Sequence, residues 1–232
     1  NVPYPFPVDP PRVPTENPTG CYRHEFVVPP AWDGRQIVLR FDGVDSAFHV
    51  WVNGQPVGFS KGSRIPAEFD VTGVVEAGEN VVAVRVYQWS DGSYMEDQDM
   101  WWLSGIFRDV TLLALGPVHI RDAGVETQLD AAYQDAVLKV KVQVSAPLVD
   151  EAWGGTLALQ LIDATGGTLA EGAVAVQVAA NGEVAVATEL AVDNPRKWSA
   201  EDPFLYTLLL TLNDAAGALV EGHTRYRGGL IA

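Results

Sequence analysis

Val50-Trp51-Val52-Asn53-Gly54-Gln55-Pro56-Val57-Gly58-Phe59 decides the fold. Apolar residues recur on both sides of Asn53-Gly54, the dipeptide best able to take the positive φ angles of a two-residue hairpin turn. The stretch therefore predicts two antiparallel strands. Working outward, CYRHEFVV (21–28), RQIVLRFDGV (35–44), NVVAVRVYQW (80–89) and RDVTLLAL (108–115) alternate in the same way. They are rich in β-branched residues and separated by Pro, Gly, Asp and Asn, so each reads as a strand. One helical turn is expected over Ala67–Val75 (AEFDVTGVV), and no long amphipathic helix is present. The first part of the chain is all-β.

The pattern breaks at Leu115-Gly116-Pro117, which places a domain boundary there and predicts domains over 1–116 and 117–232. Beyond it aromatic residues become rare. VLKVKVQVSA, TLALQLIDA, AVAVQVAA, EVAVATELAV and TLLLTLND are plain alternating strands of Ala, Val and Leu, divided by turns such as Thr165-Gly166-Gly167 and Asn181-Gly182. About seven strands at this spacing suit an immunoglobulin-like sandwich without the usual Cys pair.

Composition narrows the partners. The 232 residues are 47% hydrophobic and only 19% charged, which predicts packed cores rather than disorder. A net charge of −15 opposes nucleic acid and anionic membranes, which are bound by excess Lys and Arg, and leaves a neutral or cationic partner. Cys21 is the only cysteine, so no internal disulfide exists and a reducing, cytoplasmic compartment is expected. With His24, His49, His119 and His223 scattered, no zinc spacing appears. No apolar run is long enough to span a bilayer. The opening NVPYPFPVDPP lacks the basic flank and apolar stretch of a signal peptide, and a start without Met is expected of a processed or excised chain.

The most unusual segment is WSDGSYMEDQDMWW (89–102), with Asp91, Glu96, Asp97 and Asp99 among four aromatic rings. It admits three readings. The first is a solvated acidic turn with its rings folded back into the core. The second pairs Asp97 with Asp99 as catalytic carboxylates, since residues two apart on a strand stand roughly 6–7 Å apart, near the separation of an inverting glycosidase. That spacing is generic, and both acids would approach a sugar from one side. The third uses one or two acids to hold a sugar hydroxyl or a hard cation through oxygen, with rings against the sugar face. Composition leaves the first and third open.

Longer stretches choose. Asn17-Pro18-Thr19-Gly20-Cys21-Tyr22, FDGVDSAFHVWVNGQPVGFSKGSRIPAEFD (41–70), AGENVVAVRV (77–86), WSDGSYMEDQDMWWLSGIFRDV (89–110) and PRKWSAEDPFLYTL (195–208) resemble, collinearly, the large bacterial β-galactosidases of glycoside hydrolase family 2. The resemblance implies a jelly-roll sugar-binding domain followed by an immunoglobulin-like domain. In the family a TIM barrel comes next and carries two glutamates, one acid/base and one nucleophile, that hydrolyse terminal β-D-galactose with retention. This chain stops at Arg225-Tyr226-Arg227-Gly228-Gly229, where that barrel begins, so no catalytic residue is expected in it and it should be inactive alone. A strand or more is expected before Asn1.

Residue by residue, Asn1 and Val2 match a pair that reaches the galactose pocket. Asp99 matches an aspartate that touches galactose and helps hold a sodium ion. Asp91 matches an aspartate at a magnesium site, although Lys61 stands where a neutral oxygen ligand belongs. Trp101, Trp102 and Tyr94 are expected to pack the loop. Glu96 and Asp97 are expected to bond turn amides or pair with Arg64 or Arg108. His49 reads as a strand residue with one hydrogen bond, Cys21 as a small packed residue, and Trp198 as a cap on the second sandwich. The implied parent is a homo-oligomer acting on a β-galactoside. The alternative is a stand-alone carbohydrate-binding module.

Overall fold

A computed structural model describes residues 4–96, 99 and 101–229, with the side chains of 223–227 outside the description. The chain is all-β and divides into two compact units, Asn1–Leu115 and Gly116–Ala232. Among the described residues no helix is long and apolar enough to cross a membrane.

The first unit is a jelly-roll-like sandwich built from β1 (Thr19–Val28), β2 (Gln36–Phe41), β3 (Val44–Asp45), β4 (Ala47–Val52), β5 (Gln55–Lys61), β6 (Ala67–Asp70), β7 (Gly78–Tyr87), β8 (Gly105–Ile106) and β9 (Val110–Leu115). One sheet runs β1-β7-β4-β5 and the other β6-β2-β9, with β3 and β8 as a short pair. The quoted hairpin is β4–β5, closed by Val52 opposite Gln55 with Asn53 at φ 50° and Gly54 at φ 80°. Asn53 also acts through its side chain: its Oδ1 accepts from Val81 N at 2.9 Å, and its Nδ2 donates to Asn80 Oδ1 at 2.8 Å. The turn is thereby tied to β7. Pro56 is tolerated because β5 is an edge strand, where a missing N–H breaks no inner ladder.

The core of this unit is the set of inward residues that alternation selects: Ile37, Leu39 and Phe41 of β2, Phe48, Val50 and Val52 of β4, and Val82, Val84 and Val86 of β7. The expected helical turn over Ala67–Val75 is corrected here. Ala67–Asp70 pairs with Phe41–Val38 as a strand, because Phe69 must enter the core to meet the Phe41 and Phe48 rings at 6.0 and 5.9 Å. What remains of the helix is a turn in which Val74 N and Val75 N both donate to Val71 O, at 2.9 and 3.0 Å. Cys21 is a second correction: it is exposed on β1, not packed.

The second unit is an immunoglobulin-like sandwich of β10 (His119–Leu129), β11 (Ala136–Ser145), β12 (Trp153–Ile162), β13 (Thr168–Val178), β14 (Glu183–Val192), β15 (Tyr206–Asp214) and β16 (Leu219–Gly228). Its sheets are β10-β11-β14 and β13-β12-β15-β16. Alternate residues of β11, β12 and β15, such as Leu138, Val140, Leu157, Leu159, Leu208 and Leu210, fill the space between the sheets. Trp198 lies against the backbone of Gly229 and leaves no room there for a Cβ.

Candidate functional site

The acidic aromatic segment leaves β7 and returns at β8, and its shape is set from beneath. Pro18 lends its carbonyl to Gln88 N at 3.0 Å, and then the side chain of Asn17 replaces a strand residue. Its Nδ2 donates to Trp89 O at 2.8 Å and its Oδ1 accepts from Trp89 N at 2.9 Å. The amide thus extends the β1–β7 ladder one step past a proline, and Trp89 is only 7% exposed. Sequence reading noted Asn17 as part of a motif but gave it no task, since an Asn-Pro pair ordinarily signals only a turn.

A single α-helical turn follows, α1 (Ser93–Glu96). Ser93 is buried, donates from its N–H to Ser90 O at 3.1 Å, and accepts from Ser90 N through its Oγ at 3.2 Å. Rings from the N-terminal stretch grip this turn. Tyr4 donates its hydroxyl to Ser93 O at 2.9 Å and packs against Tyr94 and Trp102, centroids at 5.3 and 4.7 Å. Phe6 meets Trp89 edge-on at 5.0 Å, and Tyr94 donates to Arg12 O at 2.5 Å. Tyr94 and Trp102 pack the loop, as expected. Trp101 does not: it is 81% exposed, with Leu103 at 79% and Met95 at 76%.

The acids separate by role. Glu96 accepts the Ser63 N–H at 3.1 and 3.2 Å and the Ser63 hydroxyl at 2.5 Å, a bond to a turn amide of the kind expected. Arg64 pairs with the buried Asp45 at 2.8 Å, and Arg108 donates to the carbonyls of Arg64 and Asp42. Asp91 receives Lys61 Nζ on both oxygens, at 2.9 and 2.7 Å. The Lys61 bond holds the Asp91 carboxyl below its ordinary range. Asp99 is exposed, with its backbone in the left-handed region at φ 57°, which Asp tolerates better than most residues. Asn1, Val2 and Asp97 lie outside the described residues. Among the described residues no three His, Cys, Asp or Glu side chains gather as metal ligands.

His49 is not singly bonded as expected. Its ring sits against Phe59, Tyr87 and Trp51 at 4.8, 5.7 and 5.8 Å, and its buried Nδ1 has no hydrogen-bond partner.

Two family profiles match the chain: the sugar-binding domain of family 2 glycosyl hydrolases over residues 1–116, and glycosyl hydrolases family 2 over 118–228. A protein of Aeromonas hydrophila subsp. hydrophila named beta-galactosidase is 47% identical, covering 100% of this chain and 23% of that protein. One of Psychromonas ingrahamii, with the same name, is 45% identical over 95% of this chain and 22% of its own length. Among solved structures, a family 2 member from Bacteroides cellulosilyticus superposes with TM-score 0.78 at 26% identity, covering 91% of this chain and 28% of that one. The Bacteroides uniformis beta-glucuronidase reaches TM-score 0.84 at 24% identity, with 92% and 26% covered, a likeness of fold. The chain spans about a fifth of the length of the curated relatives it matches.

Proposed function

The chain belongs to family 2 of the glycosyl hydrolases, and on that premise we propose that it supplies one wall of the sugar pocket, with an adjoining spacer domain, to a β-galactosidase. The parent removes terminal non-reducing β-D-galactose with retention. Its two catalytic glutamates lie on a barrel outside these residues, and the chain alone is inactive. The observation that carries this reading is the 45–47% identity, over nearly the whole chain, to relatives named beta-galactosidase.

What the chain contributes is a positioned carboxylate. Asp99 stands exposed on a loop whose base is clamped by Asn17 and the Tyr4, Trp89, Tyr94 and Trp102 rings. A loop anchored at its base lowers the ordering cost of bringing its acid to a neighbouring pocket. There it accepts a hydrogen bond from a sugar hydroxyl, and Asn1 and Val2 add the second contact. Sodium suits a carboxylate oxygen such as Asp99 offers, but its other ligands come from outside the chain and no step is routed through it. Magnesium does not fit at Asp91, because the Lys61 ammonium takes both oxygens. The same reading makes the parent cytoplasmic and homo-oligomeric.

The test uses the intact parent with nitrophenyl β-galactoside and β-glucuronide. Galactoside is expected to be preferred. Asp99→Asn should lower kcat/KM by about 10- to 150-fold, the worth of one charge-assisted hydrogen bond. Preference for the glucuronide, or turnover by the 232-residue chain alone, contradicts the proposal. Submillimolar galactose binding by the chain, abolished in Asp99→Ala, points to the stand-alone module.

A further inference from the structure

We propose that Asn181 is a site of spontaneous deamidation whose product loosens the second sandwich, while Asn53, in the same Asn-Gly pairing on the first unit, is protected by its tertiary bonds. Water is the co-reactant, and the chemistry is independent of any sugar the parent binds.

In an Asn-Gly pair the glycine nitrogen, unshielded by a Cβ, can attack the asparagine Cγ. A new N–Cγ bond closes a five-membered succinimide, the Cγ–Nδ2 bond breaks and ammonia leaves. Water then opens the ring at either carbonyl, giving aspartate or isoaspartate. Nothing is oxidised or reduced, and each event replaces a neutral amide by a carboxylate. Asn53 and Asn181 are the two asparagines of the sequence that precede glycine, whereas Asn17 and Asn194 precede proline, which lacks the N–H such an attack gives up. Both Asn53 and Asn181 are exposed, and both take φ 50°. Access and φ therefore do not separate them.

Their side chains do. The Asn53 carboxamide is held at both ends: Oδ1 accepts from Val81 N at 2.9 Å, and Nδ2 donates to Val74 O at 3.0 Å and to Asn80 Oδ1 at 2.8 Å. Asn80 is itself 1% exposed and is fixed by the backbone of Glu76 and Gly78. Bringing the Asn53 Cγ to Gly54 N therefore means releasing three bonds. Asn181 is tied loosely, its Nδ2 donating to Asp150 Oδ1 at 3.2 Å on the surface. Its attacking group, Gly182 N, donates to Ala179 O at 3.0 Å, so one turn bond must open as well. A net hydrogen bond is worth up to about tenfold in an equilibrium, and a long exposed one less, so Asn53 should react at least about tenfold more slowly than Asn181.

The product acts on the sandwich through the same turn. Asn181 N donates to Val149 O at 2.8 Å and Ala146 N donates to Gly182 O at 2.9 Å, tying the turn to a segment in which Ala146 is 0% exposed. Aspartate at this position sets a second carboxylate against Asp150 and removes the donor between them. Isoaspartate also inserts a methylene into the backbone between the two tying bonds.

Peptide mapping by mass spectrometry, after prolonged incubation of the folded chain at mildly alkaline pH in heavy-oxygen water, tests the proposal. Electron-transfer fragmentation tells isoaspartate from aspartate. Asn181 should convert, with uptake of the labelled oxygen, at least about tenfold faster than Asn53. In denaturant the two should convert at comparable rates, because the tethers are gone. The acidic fraction isolated from the aged chain should show its second-unit transition lowered by about 2–6 °C, the worth of one or two lost bonds. Asn181→Gln, which would have to close a six-membered ring, should age without that fraction and keep the transition. Asn53 converting as fast as Asn181 in the folded chain overturns the proposal. So does an Asn181 that stays intact when folded but converts in denaturant, a preference that persists in denaturant, or an acidic fraction with an unchanged second transition.

Discussion

Replacing Asn17 by Ala should loosen the acidic loop more than any exposed residue within it. The substitution removes two hydrogen bonds, at 2.8 and 2.9 Å, to the carbonyl and N–H of Trp89, whose residue is 7% exposed. Each buried backbone group left unbonded costs about 1–3 kcal/mol, and water entering beside half-buried Asn17 recovers part, leaving about 2–3 kcal/mol. For a unit of this size, with a midpoint shift of about 4 °C per kcal/mol, that lowers the Tm of the first unit by about 8–12 °C. Tryptophan fluorescence follows it, since Trp32, Trp51, Trp89, Trp101 and Trp102 all lie in the first unit. Asn17→Asp keeps an acceptor for Trp89 N–H but turns a carboxylate oxygen toward Trp89 O, and should be no better than Ala. On the proposed function, both variants should raise the parent's KM for the galactoside, because the loop that carries Asp99 loses its anchor at Trp89. A shift below about 2 °C in Asn17→Ala, or wild-type stability in Asn17→Asp, would refute the clamp.

Other consequences are testable on the same chain. Lys61→Met should raise the Asp91 carboxyl toward its ordinary value, read by carbon NMR titration. Because the folded value is lowered, the pair's contribution is present at neutral pH and lost as pH falls through that lowered value. Magnesium should leave the wild-type Tm unchanged, since the ammonium already occupies both Asp91 oxygens. Tyr206→Phe removes the bond that Arg196 N donates to the Tyr206 hydroxyl at 2.8 Å and should cost about 1–2 kcal/mol in the second unit alone, by calorimetry. Burial raises the Tyr206 hydroxyl above its ordinary value, so its contribution is fully present below the unfolded value and fades as pH rises through the folded one. Leu210→Ala, at a site with 0% exposure, should cost about 2–5 kcal/mol and lower the second transition while leaving the first in place.

Strand positions were readable because a sheet with one buried face imposes a period of two on side-chain polarity, and the chain keeps that period through β4, β7, β11 and β15. Asn53-Gly54 likewise carried its turn in two residues, since positive φ is a local demand. Ala67–Asp70 misled because four residues hold too little periodicity to separate helix from strand, and the deciding event was Phe69 meeting Phe41 and Phe48 from distant strands. Trp101 and Trp102 are adjacent and chemically identical, yet Trp102 packs on Tyr4 and Trp89 while Trp101 faces outward. Nothing local distinguishes them.

By itself the sequence determined the all-β class, the hairpin, the alternating cores and the family, because these follow from periodicity and from motifs contiguous in the chain. Only the tertiary structure decided that Asn17 extends a ladder past Pro18, that Lys61 pairs with Asp91, and that Phe69 meets Phe41 and Phe48. Those are pairings between residues tens of positions apart, and their energies exist only once folding has brought the partners within bonding distance.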